Sequence, residues 1–198
     1  MRKIIITNNL TLDGVMQAPG RADEDTRGGF KHGGWALPFN DAVKGQAMAE
    51  GMSRGADLLF GRRTYEDFFK VWPARKDNPF SAVLDNTQKY VVSTTLAEPL
   101  AWQNSTLIKA DVPGEVAKLR EGSGKEIQVM GSGELVQTLI RHDLVDAYRL
   151  MVHPLVLGKG KRLFRDDTTL TKLRLVDSKS TTTGVLILTY EPDKSGSA

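Results

Sequence analysis

Two arginines and a threonine follow a glycine at the start of a predicted helix, and this combination suits an anion. The segment Gly61-Arg62-Arg63-Thr64 comes directly after the apolar run 57–60. The amides and dipole at a helix N-terminus favour negative charge, and guanidinium groups bind phosphate oxygens strongly. Glycine lets a ligand approach the backbone. The segment predicts a seat for a pyrophosphate or a nucleotide 2′-phosphate; the alternative is a capped helix with solvated arginines.

Two later segments of small and hydroxyl-bearing residues strengthen the prediction of a nucleotide site. A glycine-rich turn joins a predicted strand to a helix at Gly131, Ser132, Gly133, Glu134 and Leu135. Three hydroxyl residues, Ser93, Thr94 and Thr95, follow another predicted strand. The alternatives are a plain tight turn and a turn built by hydroxyl side chains. All three segments follow the carboxyl ends of predicted strands, where open α/β sheets bind ligands.

Short apolar strands alternate with helical patterns and position these segments. Strands are predicted at 2–12, 57–60, 89–93, 106–109, 126–130 and 144–152, and a closing antiparallel pair at 173–176 and 185–190. Helices are predicted at 64–71, at 114–121, after Gly133, and from an Asn40 or Asp41 cap to residue 54, with Val43, Ala47 and Met48 facing inward. Segments 15–38 and 73–79 are predicted loops. This alternation predicts an α/β sheet that is largely parallel, with antiparallel edges.

Bulk composition excludes several classes of protein. The chain has 198 residues, a formal net charge of +3 and no cysteine, so disulfides and thiol chemistry are excluded and a reducing cytoplasm is favoured. The charge excess is too small for a nucleic-acid partner, and no apolar run approaches a membrane span. No cluster has metal-ligand spacing, so no metal is expected. One domain is predicted over 1–192, with a flexible tail at 193–198. The closing strands leave an edge that predicts a homodimer.

The three polar segments together resemble the dihydrofolate reductase-like superfamily. Within it the sequence is most similar to the reductase domain at the C-terminus of bifunctional riboflavin-biosynthesis proteins. That similarity is carried by Leu12-Asp13-Gly14, by Leu144-Val145-Asp146, and by the run from Val152 to Gly158. The resemblance implies a three-layer α/β fold, with a mixed, mostly parallel central sheet, helices on both faces and an antiparallel C-terminal strand pair.

The resemblance also implies NADPH as the cofactor and assigns residues to each part of it. Arg62, Arg63 and Thr64 after Gly61 would hold phosphates, and the hydroxyls at 93–95 would lie near the adenosine ribose. The segment 131–135 would line the pyrophosphate and the ribose on the nicotinamide side. Asp13, Gly14 and Val15 would lie beside the nicotinamide ring.

The proton donor and the substrate residues are harder to assign. Trp35-Ala36-Leu37-Pro38 resembles the segment before the acidic residue of dihydrofolate reductases, and in that alignment Asn40 takes the position of the acid. Asp41 either enters the site or caps a helix. Asp41 and Asp13 are the candidate catalytic residues, and Trp35 and Asn40 the candidate substrate residues. Trp35 or Phe30 either stacks on a flat substrate ring beneath a mobile lid or anchors the loop to the core.

The predicted function is therefore a riboflavin-pathway type of pyrimidine reductase. It would use NADPH to reduce a nitrogen heterocycle resembling 5-amino-6-(5-phosphoribosylamino)uracil. A dihydrofolate or pteridine reductase is the second enzymatic alternative, and it requires Asp41 in the pterin pocket. The third alternative is a non-catalytic nucleotide-binding module, which the missing acid at position 40 favours.

Overall fold

The computed structural model describes residues 1–166, 168 and 170–193, and it contains one mixed, mostly parallel sheet. Hydrogen bonds join its strands in the order β4-β3-β2-β5-β1-β6-β8-β7. The strands are β1 Ile4–Thr11, β2 Asp57–Gly61, β3 Lys89–Val92, β4 Ser105–Ile108, β5 Ile127–Met130, β6 Ala147–His153, β7 Leu173–Ser180 and β8 Leu186–Pro192. The predicted α/β class and the antiparallel C-terminal pair are confirmed. Of the tail predicted at 193–198, residues 194–198 lie outside the described residues.

Five α-helices connect these strands, together with two short 3-10 turns at Arg27–Gly29 and Leu37–Phe39. The helices are α1 Ala42–Arg54, α2 Arg62–Val71, α3 Pro79–Asn86, α4 Val112–Glu121 and α5 Gly133–Arg141. Helix α3 is missing from the sequence prediction, which treats the prolines around it as loop. Pro79 instead occupies the first turn of α3, where proline needs no backbone donor, and the side chain of Asn78 caps that turn.

The chain divides into two compact units. Unit 1 contains Met1–Ile5 and Glu50–Val145, and unit 2 contains Ile6–Ala49 and Asp146–Ala198. In unit 1, β2 lies between β3 and β5 and pairs with both in parallel. Parallel neighbours need crossover connections, which the helices supply. A buried cluster around Phe60, Tyr65 and Trp102 packs beneath them, and the Trp102 amide donates to the Tyr65 hydroxyl at 2.8 Å.

Unit 2 places antiparallel strands together with the long segment that follows β1. β8 pairs with β6 and with β7. The predicted loop 15–38 is held to a second cluster that includes Val15, Phe30 and Trp35. The predicted inward face of α1 is wrong at Met48, whose side chain is 46% exposed; Lys44 is the buried residue of this helix.

Strand β7 ends the strand order and exposes nearly all its length. Leu175 and Val176 are about half exposed, and Val176 lies at an irregularity in the pairing with β8. An exposed edge with apolar side chains is a template for another chain. We therefore propose that a second copy of this protein covers β7.

If that is correct, multi-angle light scattering should give the mass of a dimer for the wild type. Val176→Lys should give a monomer at the same concentration, because a charge on this edge opposes strand addition. Lys179→Ala, an exposed change on the same strand, is the matched control and should stay dimeric. A monomeric wild type would contradict the proposal.

Candidate functional site

The starts of α2 and α5 are joined to each other within unit 1. They follow β2 and β5, which are parallel neighbours. The Gly61 amide donates a hydrogen bond of 2.9 Å to the Ser132 hydroxyl oxygen. The amide and the hydroxyl of Ser132 in turn donate to the Thr64 hydroxyl oxygen, at 3.1 and 2.9 Å. The two turns that the sequence singled out therefore form one polar cluster.

Neither α2 nor α5 receives a side-chain capping bond from its own N-cap residue. Gly61 and Ser132 occupy the capping positions of α2 and α5, and neither forms a side-chain capping bond. Amides of an uncapped helix start are suited to an anion. Gly131 has a φ of +60°, and an added Cβ would lie 3.3 Å from the Thr64 side chain. A glycine is thus needed for the close approach of the two turns.

The two arginines at the start of α2 differ in their partners. Arg62 forms an ion pair of 3.3 Å with Glu66 on the next turn, and both side chains are about half exposed. Such exposed pairs contribute at most about 1 kcal/mol, so a phosphate competes readily for Arg62. Arg63 is exposed and makes no ion pair with any residue that the structure describes. The helix start therefore carries one uncommitted guanidinium and one weakly paired one.

The remaining cofactor candidates of unit 1 divide into exposed and buried groups. Ser93 is buried, and its hydroxyl accepts from the amides of Thr95 and Leu96 at 3.1 and 3.0 Å, so it builds the turn. Thr94 and Thr95 are exposed. In α5, Leu135 is buried, whereas Glu134 is exposed in the first turn, where its carboxylate suits a ribose hydroxyl better than a phosphate.

Asp13 holds a loop of unit 2 through its carboxylate. Its oxygens accept from the amides of Leu157 and Gly158 at 3.2 and 2.8 Å and from the Thr11 hydroxyl at 2.5 Å. Burial opposes ionisation, but these hydrogen bonds outweigh it and lower the pKa of Asp13 to about 2. Asp13 is therefore ionised at neutral pH and carries no proton. Arg162 also donates to its backbone oxygen, at 2.8 Å.

Asp41 caps α1 and binds the turn between β7 and β8. One oxygen accepts from the Lys44 amide at 2.8 Å, and the other accepts from the Thr182 hydroxyl and amide at 2.6 and 2.7 Å. These bonds, that of the Thr182 hydroxyl first, lower the pKa of Asp41 to about 2. The capping alternative agrees with this geometry. Asn40 is exposed, and its amide donates to the Leu37 carbonyl.

The aromatic residues of segment 15–38 are anchored. Trp35 is 7% exposed, and its indole nitrogen donates to the Gln17 carbonyl at 2.7 Å. Phe30 belongs to the same buried cluster. This is the placement that the anchoring alternative requires, and contact of Trp35 with a substrate stays a prediction. Val15 is fully buried and forms an isolated antiparallel β-bridge with Arg162. Gly14 has a φ of +79°.

A buried pair of titratable groups escaped the sequence analysis. Lys44 and His153 are 5% and 0% exposed, and Lys44 Nζ lies 3.1 Å from His153 Nε2. His153 Nδ1 lies within 3.2 Å of two backbone oxygens, so it carries the proton and Nε2 accepts from Lys44. Burial lowers the pKa of both groups, and the nearby Lys44 charge lowers that of His153 further. Lys44 lies three residues after the capping Asp41, a position that gives no signal of burial in the sequence.

We expect Asp41→Asn to lower the unfolding temperature at pH 7, because an amide cannot accept as strongly from Thr182 and Lys44. The folded pKa of about 2 lies below the ordinary 3.8. The ionised carboxylate therefore adds stability above about pH 4, and that stability is lost as the pH falls toward 2. Thermal unfolding followed by circular dichroism should show that the difference in unfolding temperature between the variant and the wild type becomes smaller over this pH range.

The matched control for this change is Asp77→Asn, at an exposed position between α2 and α3. It should leave the unfolding temperature unchanged throughout. If the unfolding temperature of Asp41→Asn stayed below that of the wild type by the same amount down to pH 2, the stability could not be assigned to the ionised carboxylate.

The described residues contain no group of histidine, aspartate and glutamate side chains arranged to hold a metal ion. Among the same residues, no helix has the length and apolar character needed to cross a membrane.

Several known proteins are similar to this chain. The Bacillus subtilis (strain 168) uncharacterized protein YyaP is 28% identical over 194 residues, covering 96% of this chain and 94% of YyaP. YwjB of the same organism, also uncharacterized, is 35% identical over 122 residues, covering 62% and 66%. A structure described as a riboflavin biosynthesis protein, from Shewanella sp. PV-4, gives a TM-score of 0.73 at 20% identity, covering 97% of this chain and 99% of that one.

A pyrimidine reductase-like protein from Corynebacterium diphtheriae gives a TM-score of 0.61 at 11% identity, with 98% and 92% covered. At these identities the solved structures establish the fold alone. The model of the RibD C-terminal domain matches residues 2–187, nearly the whole chain. Reductases of that family generally use a nicotinamide cofactor. With this match, the protein belongs to the RibD C-terminal domain family, a family of riboflavin-pathway reductases.

Proposed function

We propose that this protein is an NADPH-dependent reductase of the pyrimidine reductase type, which reduces a nitrogen heterocycle. The observation that carries the proposal is the joined start of α2 and α5. There, the N-termini of two helices lie on linked turns, together with the weakly paired Arg62 and with Arg63, which forms no ion pair among the described residues. Such a cluster has the charge and the donors that dinucleotide phosphates need.

The residues of unit 1 fit the phosphate and ribose parts of the cofactor. Arg62, Arg63 and the amides after Gly61 would bind phosphate oxygens. The exposed hydroxyls of Thr94 and Thr95 would accompany the adenosine ribose, since Ser93 is committed to its turn. The amides of the Gly131–Gly133 turn would hold the pyrophosphate, with the Glu134 carboxylate accepting from a ribose hydroxyl. Leu135 is buried and would contribute packing beneath the turn.

In unit 2 we keep the assignment of Asp13, Gly14 and Val15 to the nicotinamide part. When bound, the nicotinamide supplies the hydride. The role of Asp13 would then be positioning, because its ionised carboxylate binds the amides of Leu157 and Gly158 and has no proton to give. The absence of cysteine agrees with a reducing compartment, and we propose the cytoplasm.

Titration with NADPH and NADH tests the cofactor assignment. We expect Arg62→Ala and Arg63→Ala each to weaken NADPH binding about tenfold or more, the loss expected for a charge-assisted hydrogen bond. The effect on NADH should be smaller if either arginine reads the 2′-phosphate. Quenching of tryptophan fluorescence gives both affinities.

Lys70→Ala is the matched control, because Lys70 is an exposed cation in the last turn of the same helix. It should bind both dinucleotides as the wild type does. Equal losses for NADPH and NADH would remove the arginines from the 2′-phosphate, and a wild type that binds neither would end the reductase proposal.

A non-catalytic dinucleotide-binding module is the second candidate, favoured by one observation. Both candidate acids, Asp13 and Asp41, are ionised at neutral pH, and position 40 carries asparagine. The folate reductase alternative loses support for the same reason, since both oxygens of Asp41 already accept hydrogen bonds from Lys44 and Thr182.

Deuterium transfer separates these candidates. Under our proposal, deuterium from labelled NADPH should appear in a product from a panel of amino-pyrimidines. Transfer to dihydrofolate, abolished by Asp41→Asn with NADPH binding retained, would instead favour the folate alternative. NADPH binding without transfer to any pyrimidine or pterin would favour the module.

A further inference from the structure

His153 lies at the carboxyl end of β6, next to the turn that follows β1. This turn, residues 12–15, is the one assigned to the nicotinamide and is called the nicotinamide turn. His153 Nδ1 lies 3.2 Å from the carbonyl oxygen of Leu10, two residues before the turn. The His153 carbonyl accepts from the Leu155 amide at 2.8 Å, and the Leu155 carbonyl accepts from the Leu12 amide at 2.9 Å. One buried residue therefore bonds to the strand that enters the turn and to the segment beside it.

The segment that follows β6 completes the hold on the nicotinamide turn, because its amides bind the Asp13 carboxylate. Leu12 in the turn and Val156 in this segment have side chains that are 65% and 68% exposed. The hydrogen bonds thus fix the backbone, while two apolar side chains stay open to a flat ring.

Lys44 determines which nitrogen of His153 carries the proton. An ammonium group has donors and no acceptor, so Nε2, which lies 3.1 Å from Lys44 Nζ, must accept. The ring proton then lies on Nδ1 and donates toward the Leu10 carbonyl. The opposite tautomer would set the lone pair of Nδ1 against that oxygen. Lys44 therefore selects the tautomer that bonds to β1.

The position of Lys44 is fixed by the start of α1. Its amide donates to Asp41, whose other carboxylate oxygen binds Thr182 in the turn between β7 and β8. The Thr183 hydroxyl in the same turn donates to the Phe39 carbonyl at 2.8 Å. The first turn of α1 is thus tied on both sides of Asn40.

Two aromatic rings fix the orientation of the His153 ring. Trp35 and Phe39 meet it edge to face, with centroids 5.1 and 5.6 Å away and interplanar angles of 90° and 78°. Trp35 is itself held by its hydrogen bond to the Gln17 carbonyl. These rings surround the pair with apolar atoms, and a hydrogen bond is electrostatically stronger in such surroundings.

The charges around the pair keep the His153 ring neutral. Among the residues that the structure describes, the charge acting on His153 is that of Lys44, and the charge acting on Lys44 is that of Asp41. Burial and then the Lys44 charge lower the pKa of His153, against the Met151 and Leu10 carbonyls, which raise it. Burial lowers the pKa of Lys44 as well, and the Asp41 charge opposes this shift.

We propose that His153 is a positioning residue for the reduction, which holds the nicotinamide turn in place, and that Lys44 keeps the His153 ring in its bonded form. The inference rests on the proposed function, from which it takes the assignment of this turn. Both side chains act through the backbone of Leu10 and Leu155 and need no contact with the cofactor. Precise placement matters because a shift of about 1 Å at a reacting group can cost about 100-fold in rate.

Nuclear magnetic resonance of the ring nitrogens tests the role of Lys44. The chain has three histidines, and His32→Gln and His142→Gln assign the other two. In the wild type, His153 should carry its proton on Nδ1 and titrate below the ordinary 6.5. Lys44→Met keeps the length of the side chain but removes its charge, so the pKa of His153 should rise. A role in packing alone would lower the unfolding temperature without moving this pKa.

Two ligands test the role of His153 in positioning the turn. Adenosine 2′,5′-bisphosphate carries the phosphates of the adenosine half of NADPH but no nicotinamide, and the residues assigned to it lie in unit 1. Lys44→Met should weaken NADPH binding about tenfold, because it leaves Nε2 of His153 without its donor, and should leave bisphosphate binding unchanged. Lys172→Met, the same change at an exposed lysine of unit 2, should alter neither affinity.

The wild type supplies a measurement that requires no folded variant. NADPH should shift the ring resonances of His153, and the bisphosphate should not. An unshifted His153 with NADPH bound would overturn the inference, as would an unchanged His153 pKa in Lys44→Met or equal losses of both ligands. In each of these cases NADPH still binds the wild type, so the proposed function stands. A wild type that binds neither ligand would instead refute the proposed function, and this inference with it.

Discussion

The hydrogen bonds of the Ser132 side chain hold the starts of α2 and α5 together, and the proposed phosphate site requires that they stay joined. Ser132 adopts a left-handed conformation with φ near 59°. For a residue with a Cβ this conformation costs about 1–2 kcal/mol. Its hydroxyl meets the Gly61 amide and the Thr64 hydroxyl, and each such bond returns about 0.5–1.5 kcal/mol. The strained turn is therefore stable only while both partners are in place.

Unit 2 uses its carboxylates in a different way. Asp13 and Asp41 each accept several hydrogen bonds from chain segments more than 140 residues away in sequence. The same bonds that hold those segments also lower the pKa of each carboxyl group. Aspartate is a residue type that suits acid–base chemistry, but here both side chains hold distant segments of the chain together. Their low pKa values result from the hydrogen bonds that do so.

The sequence predicted the structure correctly wherever a local pattern determines it. Alternating apolar strands and helices identified the sheet, and glycine-rich turns after β2 and β5 identified the two helix starts. It failed where distant contacts decide. Lys44 is buried because His153 accepts from it, and nothing near Lys44 in sequence indicates that partner. The Lys161 amide donates to the buried Gln17 side chain, and neither residue's neighbours in sequence indicate that contact.

Because unit 2 is discontinuous in sequence, its two parts leave the ribosome at different times. Its first part, residues 6–49, bonds to residues beyond 150 through Asp13, Gln17 and Asp41. The residues of unit 1 are synthesised in between. At about 5–20 residues per second, the early segment waits for several seconds before Leu155, Leu157 and His153 are made, the residues that pack on its cluster and on Trp35. During this interval, nascent chains of this protein expose apolar side chains that chaperones can bind.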